Sequence, residues 1–456
     1  MDLSFSEVND VLGDIRNPGE AKNDFLNFKN VSIDSRNLYE TDLFIAIKGK
    51  NFDGHSFLPE VLKKGVKSVV IKEGMQKSLP RDFPCWVVND TLEAFQKLTL
   101  LKRKKLNIPL IAITGSVGKT TTKEMMGEVL KKLGKIKLSH ANFNNQIGVG
   151  LTILETDVED KVLVLEMGMR GTGQIENLSK YSEPDIAVIT NIGTAHIGLL
   201  GSKKNITYAK CEITKFLNPN GVVIIPANDP FLEETLKGYW KGRVIKVELL
   251  NIEKKKSFKE DNNLRGFYNP SQKTILIQEN TFEISFEGFH NALNFLFVYA
   301  VAKELRIDFE KFNKFDFVSL EGRNKILKSV KTTIYDESYN ASPESVKACI
   351  ENLLDKPRNH FLIFGSMQEL GKESKKYHKE IFNLINKSEI EKCVFICDKK
   401  NEIFFSNYLK GKKKFLVLND IKDVPKEINK FTKKGDSILI KGSRCWQLEK
   451  IIKLIH

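Results

Sequence analysis

The sequence predicts a three-domain α/β protein, and three observations carry that reading. At 456 residues the chain is too long for one hydrophobic core. Short β-branched apolar runs alternate with stretches of helical spacing along most of its length. Polar and glycine-bearing segments follow those runs, at the strand ends where open α/β sheets bind ligands.

The clearest segment is Ile111-Ala112-Ile113-Thr114-Gly115-Ser116-Val117-Gly118-Lys119-Thr120-Thr121-Thr122. Leu110 to Ile113, bounded by Pro109, reads as a buried strand. Thr120 to Leu133 has helical spacing, with Met125, Met126, Val129, Leu130 and Leu133 on one side. Strand, glycine turn and helix form the setting in which backbone N–H groups and a helix N-terminus hold phosphate. Lys119 can reach terminal phosphates and the Thr120 hydroxyl can sit on Mg²⁺. Ile113 stands where the general phosphate-loop pattern has its first glycine. The alternative is a glycine turn before an ordinary helix, and the strand–turn–helix context favours phosphate.

A balance of 41% hydrophobic and 29% charged residues is that of a folded protein. The net charge of +14 favours anionic partners. Its knots, Lys102-Arg103-Lys104-Lys105, Lys254-Lys255-Lys256 and Lys412-Lys413-Lys414, have no aromatics between them, so no nucleic-acid partner is expected. Six scattered cysteines, with Cys393 and Cys397 flanking an apolar run, fit a reduced, cytoplasmic protein with buried thiols. Met1 to Glu7 lacks the basic and apolar parts of a signal peptide, and no apolar run is long enough to span a bilayer, so no membrane partner is expected either.

Residues 1–107 read as a small α/β unit, with strands at Leu43–Ile47 and Ser68–Ile71 and helices at Leu58–Lys64 and Thr91–Arg103. Its polar clusters are Asp34-Ser35-Arg36, Lys48-Gly49 and Asp53-Gly54-His55. Arg36 and Lys48 can pair with phosphates, though each cluster by itself reads as a turn. Lys102 to Asn107 reads as a linker. Residues 108–324 form a nucleotide unit with strands at Lys161–Leu165, Ile186–Thr190 and Val222–Ile225, which implies a mostly parallel sheet. The polar residues after its strands are Asn142-Phe143-Asn144-Asn145, Glu166-Met167-Gly168 and Thr190-Asn191 followed by His196. Glu166 is a plausible Mg²⁺ ligand. For His196 both a ligand and a non-ligand reading stay open, and Lys210 by itself reads as a surface lysine. Asn263 to Phe286 reads as appended hairpins, and Gly288 opens a helix to about Leu305 with Asn291 and Asn294 on one face. Residues 325–456 form a third α/β unit with strands at Thr332–Tyr335, Phe361–Phe364, Cys393–Ile396, Phe415–Leu418 and Ser437–Ile440. It lacks the Gly-x-Gly-x-x-Gly fingerprint, so no nicotinamide cofactor is expected.

Thr-Gly-Ser-Val-Gly-Lys-Thr-Thr resembles the Mur ligases, the ATP-dependent amide-forming enzymes of peptidoglycan synthesis. Within that superfamily the chain is similar to the members that add D-alanyl-D-alanine to UDP-N-acetylmuramoyl-tripeptide. The supporting motifs are Asn142 to Gly148, Leu165 to Gly171, Asn191 to His196, Asp336 to Pro343, Glu369-Leu370-Gly371 with Ser374 and His378, and Lys441-Gly442-Ser443-Arg444. The resemblance implies a UDP-sugar-binding N-terminal domain, a central ATPase domain and a Rossmann-like C-terminal domain. It implies ATP and two Mg²⁺ ions, a cytoplasmic monomer, and a role in cell-wall synthesis, cell shape and division.

By that resemblance Thr114, Gly115, Ser116, Val117, Gly118, Lys119, Thr120 and Thr121 hold the ATP phosphates, and Asn291, Arg323 and Asp336 also bind ATP. Thr120, Glu166, His196 and Lys210 bind metal, and Lys119, Glu166, His196 and Lys210 serve catalysis; Lys210 matches a position often carbamylated in relatives. Ser35, Arg36, Lys48, Gly49, Asp53, Gly54 and His55 match UDP-sugar positions. Asn144, Asn145, Tyr339, Asn340 and Ser342 match further substrate positions, the last three near the incoming dipeptide. Ser366 replaces an aspartate usual in the family. The rival readings are a ligase adding a single amino acid or glutamate, a nucleotide-dependent nucleic-acid-binding protein, and an inactive scaffold. The Asn142–Asn145 and Asp336–Ala341 segments argue against the first. The intact Gly118, Lys119 and Glu166 argue against the last.

Overall fold

Three sheets of four or more strands organise the described residues, beside a two-stranded pair of Leu3–Ser4 and Asn27–Phe28. The computed structural model describes residues 2–17, 27–49, 51–253, 263–309, 314–315, 317, 321–328, 331–357 and 359–455. The lysine knot Lys254 to Lys256 lies outside the described residues. The first sheet has four parallel strands in the order Asn30–Ser32, Asp42–Ile45, Ser68–Lys72 and Cys85–Val88. The helix Thr91–Lys105 follows, capped by Asp90, whose side chain accepts from Leu92 N and Glu93 N.

The central sheet has ten strands among the described residues. Its parallel part runs Ile136–Leu138, Val162–Glu166, Leu110–Thr114, Ile186–Ile189, Val222–Pro226, Arg243–Asn251 and Leu264–Asn269. Thr274–Ile277 and Asn280–Ile284 extend it as antiparallel hairpin strands, as the turn signals predict. The Leu110–Thr114 strand lies between Val162–Glu166 and Ile186–Ile189, so the chain reverses direction across the sheet at its carboxyl end. That is the switch point where such sheets bind ligands. The helices Lys119–Leu130 and Phe289–Glu304 pack together on one face, over a core that includes Met125, Val129, Phe295 and Phe297.

The third sheet orders Lys325–Lys328, Thr332–Glu337, Asp436–Lys441, His360–Gly365, Ile390–Ile396 and Phe415–Leu418, parallel except for the first strand. One apolar cluster runs without a break from the central unit (Met167, Ile192, Ile197) into this last one (Ala341, Met367, Leu370). The six cysteines are free thiols and all but Cys445 are buried, as their scatter predicts.

Lys102 to Lys105 is the last turn of a helix, not a linker. Lys102 and Arg103 are buried. The Arg103 guanidinium donates to Ser182 O at 2.8 Å and to Asp185 Oδ2 at 2.8 Å, which straps the N-terminal unit to the central one. A basic run reads as solvated in sequence, whereas Arg can bury its stem and saturate its donors on carbonyls.

Candidate active site

The loop after Leu110–Thr114 is held by its neighbours before any ligand arrives. Gly118 takes φ +84° and caps the helix that begins at Lys119. A Cβ there would approach Asn294 Oδ1 to 2.7 Å, and a Cβ on Gly115 would run into Thr190 Oγ1. The Asn191 side chain clamps the turn: its Oδ1 accepts from Ser116 N at 3.1 Å and Val117 N at 3.0 Å, and its Nδ2 donates to Val117 O at 2.9 Å. Lys119 Nζ folds back and donates to Gly115 O at 2.8 Å. Burial, opposed by Glu166, holds this ammonium below the ordinary lysine range. A glycine turn at a helix N-terminus with a lysine beside it has the geometry of an anion site.

At its foot Thr120 Oγ1 donates to Glu166 Oε2 at 2.7 Å, and Asn144 Nδ2 donates to Glu166 Oε1 at 2.8 Å. Glu166 N–H donates to Ser139 Oγ at 3.0 Å, and the buried Lys123 ammonium donates to Ser139 O. The hydroxyl and carboxylate are both buried and adjacent, an oxygen pair that suits Mg²⁺ completed by phosphate oxygens and water. Among the described residues no three His, Cys, Asp or Glu form a metal-holding group. His196, at φ +65°, is paired through Nδ1 with Glu369 Oε2 of the C-terminal unit. Lys210 is 2% exposed, so the surface-lysine reading is overturned. Burial and the neighbouring Lys119 push it well below the ordinary lysine range.

These groups open onto a cleft of ≈ 1370 Å³ walled by all three units. Lys48, Gly49, Gly115 to Thr121, Asn144, Asn145, Glu166, His196, Lys210, Asn291, Arg323, Tyr339, Asn340 and Ser342 line it. The Arg323 guanidinium lies 4.0 Å from the Tyr339 ring centroid, with Arg444 at 5.7 Å. Lys441 Nζ donates to Asn340 O at 2.9 Å and holds that turn.

Other sequence-predicted residues do not reach the cleft. Thr114 is a buried strand residue. Asp336 accepts from Ser338 N at 3.1 Å and Ser338 Oγ at 2.6 Å, which commits it to its own turn; Glu337 lines the cleft instead. Burial pushes the Glu337 carboxyl up, against the pull of Lys441. Ser35 Oγ donates to Glu60 Oε2 at 3.2 Å, and Arg36 forms a fork on Asp34 at 2.8 and 2.7 Å. His55 is buried, with Nδ1 on Asp53 Oδ1 at 2.6 Å and Nε2 accepting from Lys72 N at 3.0 Å. Gly54 packs so tightly that a Cβ would sit 2.8 Å from Ile47 N. Asp53, Gly54 and His55 thus build a turn in this structure, with His55 fully engaged. Sequence reasoning left Asn191, His290 and Glu337 without a site role, although all three line the cleft, as does Asn294, whose amide the sequence offers either to an adenine edge or to a helix cap. Their signal was position alone: each sits within a few residues of a named motif.

Comparison with known families matches residues 27–113 to "Mur ligase family, catalytic domain", 113–302 to "Mur ligase middle domain" and 322–444 to "Mur ligase, glutamate ligase domain". The UDP-N-acetylmuramoyl-tripeptide--D-alanyl-D-alanine ligase of Bacillus subtilis is 34% identical over 435 residues, covering 93% of this chain and 92% of its own. The ligase of the same name from Rickettsia prowazekii is 31% identical, covering 94% and 95%. Among solved structures, MurF from Acinetobacter baumannii superposes with a TM-score of 0.85 at 26% identity, covering 100% of this chain and 99% of its own. MurF ligase from Thermotoga maritima in complex with ADP gives 0.80 at 27% identity, covering 94% and 97%. Matched from its first sheet to its last, the chain belongs to the Mur ligase family, on the MurF branch.

Proposed function

We propose that this enzyme joins D-alanyl-D-alanine to the terminal carboxylate of UDP-N-acetylmuramoyl-tripeptide, consuming ATP and giving the UDP-muramoyl-pentapeptide, ADP and phosphate. The carrying observation is the clamped glycine loop with the Thr120–Glu166 pair at its foot, opening onto a cleft that all three units wall. Three substrates have to meet, and three units surround the space.

The tripeptide carboxylate oxygen attacks the γ-phosphorus, the bond to the β-bridging oxygen breaks, and ADP leaves. The dipeptide amine then attacks the acyl-phosphate carbon, the carbon–oxygen bond to phosphate breaks, and the amine gives up its proton. Backbone N–H groups at the head of the Lys119–Leu130 helix hold the phosphates, and Lys119 exchanges Gly115 O for them. Arriving phosphate charge opposes the burial that lowers the Lys119 pKa and raises it again. Thr120 and Glu166 would hold Mg²⁺, which supplies charge neutralisation during transfer. Asn144 fixes the Glu166 carboxylate, and Tyr339, Asn340 and Ser342 stand where the dipeptide is expected. Catalysis here is mainly positioning and electrostatics. The same reading makes the enzyme a cytoplasmic monomer; no described helix is long and apolar enough to cross a membrane.

The test is phosphate release from ATP and Mg²⁺ with UDP-N-acetylmuramoyl-tripeptide, with and without D-alanyl-D-alanine. Turnover that needs both, with a pentapeptide product, is the expected result. Turnover indifferent to the dipeptide overturns the acceptor and moves the reading to a single-amino-acid ligase.

A further inference from the structure

The segment that clamps the phosphate loop is also gripped from the opposite side by the C-terminal unit. Ser116 Oγ accepts from Gly193 N at 2.8 Å, so Gly193 is tied to the loop as Asn191 is. One residue on, Thr194 donates from N to Glu344 Oε1 at 2.8 Å and from Oγ1 to Glu344 Oε2 at 3.1 Å. Glu344 lies in the first turn of the helix Pro343–Leu354, which Ser342 opens with a capping box. A carboxylate is favoured there by the helix dipole. The fit is close, since a Cβ on Gly193 would sit 2.9 Å from the Glu344 carboxyl carbon. The chain of contacts is therefore continuous from Ser116 through Gly193 and Thr194 to Glu344 and the helix carrying Ser342 at its cap.

We propose that Glu344 is a positioning residue that couples nucleotide binding at the phosphate loop to the seating of the C-terminal unit. A nucleotide that fixes the Gly115–Thr121 loop fixes Asn191 and Gly193 with it. Thr194 then presents its N–H and hydroxyl to Glu344 in one geometry, and the Pro343–Leu354 helix is held where its N-terminus faces the cleft. The coupling is reciprocal, so a seated C-terminal unit also tightens nucleotide binding. This rests on the nucleotide reading of the loop but not on the identity of the acceptor.

The test is amide hydrogen exchange on the full chain with Mg²⁺ present, with and without ADP. In the wild type ADP is expected to slow exchange both at residues 190–197 and in the Pro343–Leu354 helix, by about fivefold or more. In Glu344→Ala the protection of residues 190–197 remains and that of the helix is lost. Glu344→Gln can keep both hydrogen bonds, because its oxygen accepts from Thr194 N and its amide donates to Thr194 Oγ1, and it is expected to behave as wild type. Thr194→Val, which keeps the N–H and loses the hydroxyl, is expected to lie between. Equal helix protection in Glu344→Ala and wild type overturns the proposal, as does a wild-type helix that ADP leaves unprotected while residues 190–197 respond. ADP that protects neither segment overturns the nucleotide reading itself.

Discussion

The phosphate loop and the polar turns of the N-terminal unit make an instructive pair. Both are glycine-bearing, polar and placed after strands. In the loop the backbone is locked by Asn191 and Gly118, while Lys119 rests on a single carbonyl contact and the helix N-terminus faces the cleft. In the N-terminal turns the side chains spend their capacity on each other: Arg36 on Asp34, Ser35 on Glu60, His55 on Asp53 and Lys72. Only Lys48 and Gly49 of that set reach the cleft. A site is distinguished from a turn by the capacity it keeps in reserve rather than by its residue types.

The sharpest test of that contrast is Lys119→Met. It leaves the loop fold intact and removes the one mobile cation of the turn, so kcat is expected to fall by about a thousandfold, read by phosphate release. Gly118→Ala comes next. Its φ of +84° and the nearby Asn294 Oδ1 penalise any side chain, so the free variant loop relaxes out of this shape, and restoring about 1–2 kcal/mol of left-handed strain on binding weakens ADP by about tenfold in calorimetry.

His55→Ala probes the other side of the comparison. It leaves Lys72 N without its acceptor, so about 1–3 kcal/mol of stability is expected to go, seen in urea unfolding. Nucleotide affinity stays the same. A large loss of nucleotide affinity instead would break the contrast.

The last effect is pH-dependent. His378 Nε2 accepts from Met367 N, and burial pushes this imidazole from 6.5 down to about 4. The unfolded ring takes a proton that the folded one refuses, so stability rises with pH from about 4 to about 6.5 and is lost as pH falls through that window. His378→Gln keeps an acceptor for Met367 N, and its thermal midpoint is expected to fall less than that of wild type between neutral pH and about pH 5.

What was legible in the sequence follows the same division. The strands and the phosphate loop were readable because β-branched runs and a Gly-Lys-Thr-Thr turn declare themselves locally. The position of Glu166 at a strand end followed from strand periodicity, and the structure places it beside Thr120. The choice between Asp336 and Glu337 was not legible, because adjacent strand residues face opposite sides and a shift of one exchanges their roles. Nor was the fate of Lys210 or Arg103, whose burial depends on what packs over them from elsewhere in the chain. His196 shows the limit most plainly: its partner Glu369 is far away in sequence and belongs to another unit.

The unbroken apolar seam from Met167 and Ile197 into Ala341 and Leu370 has a consequence for taking the protein apart. A gene cut near Gly322 would release two fragments, each carrying half of a greasy face with nothing to cover it. Such fragments are expected to be sticky, and to regain solubility when co-expressed, as two halves that complement one another. The last unit is in that sense less an appendage than a lid grown onto its box.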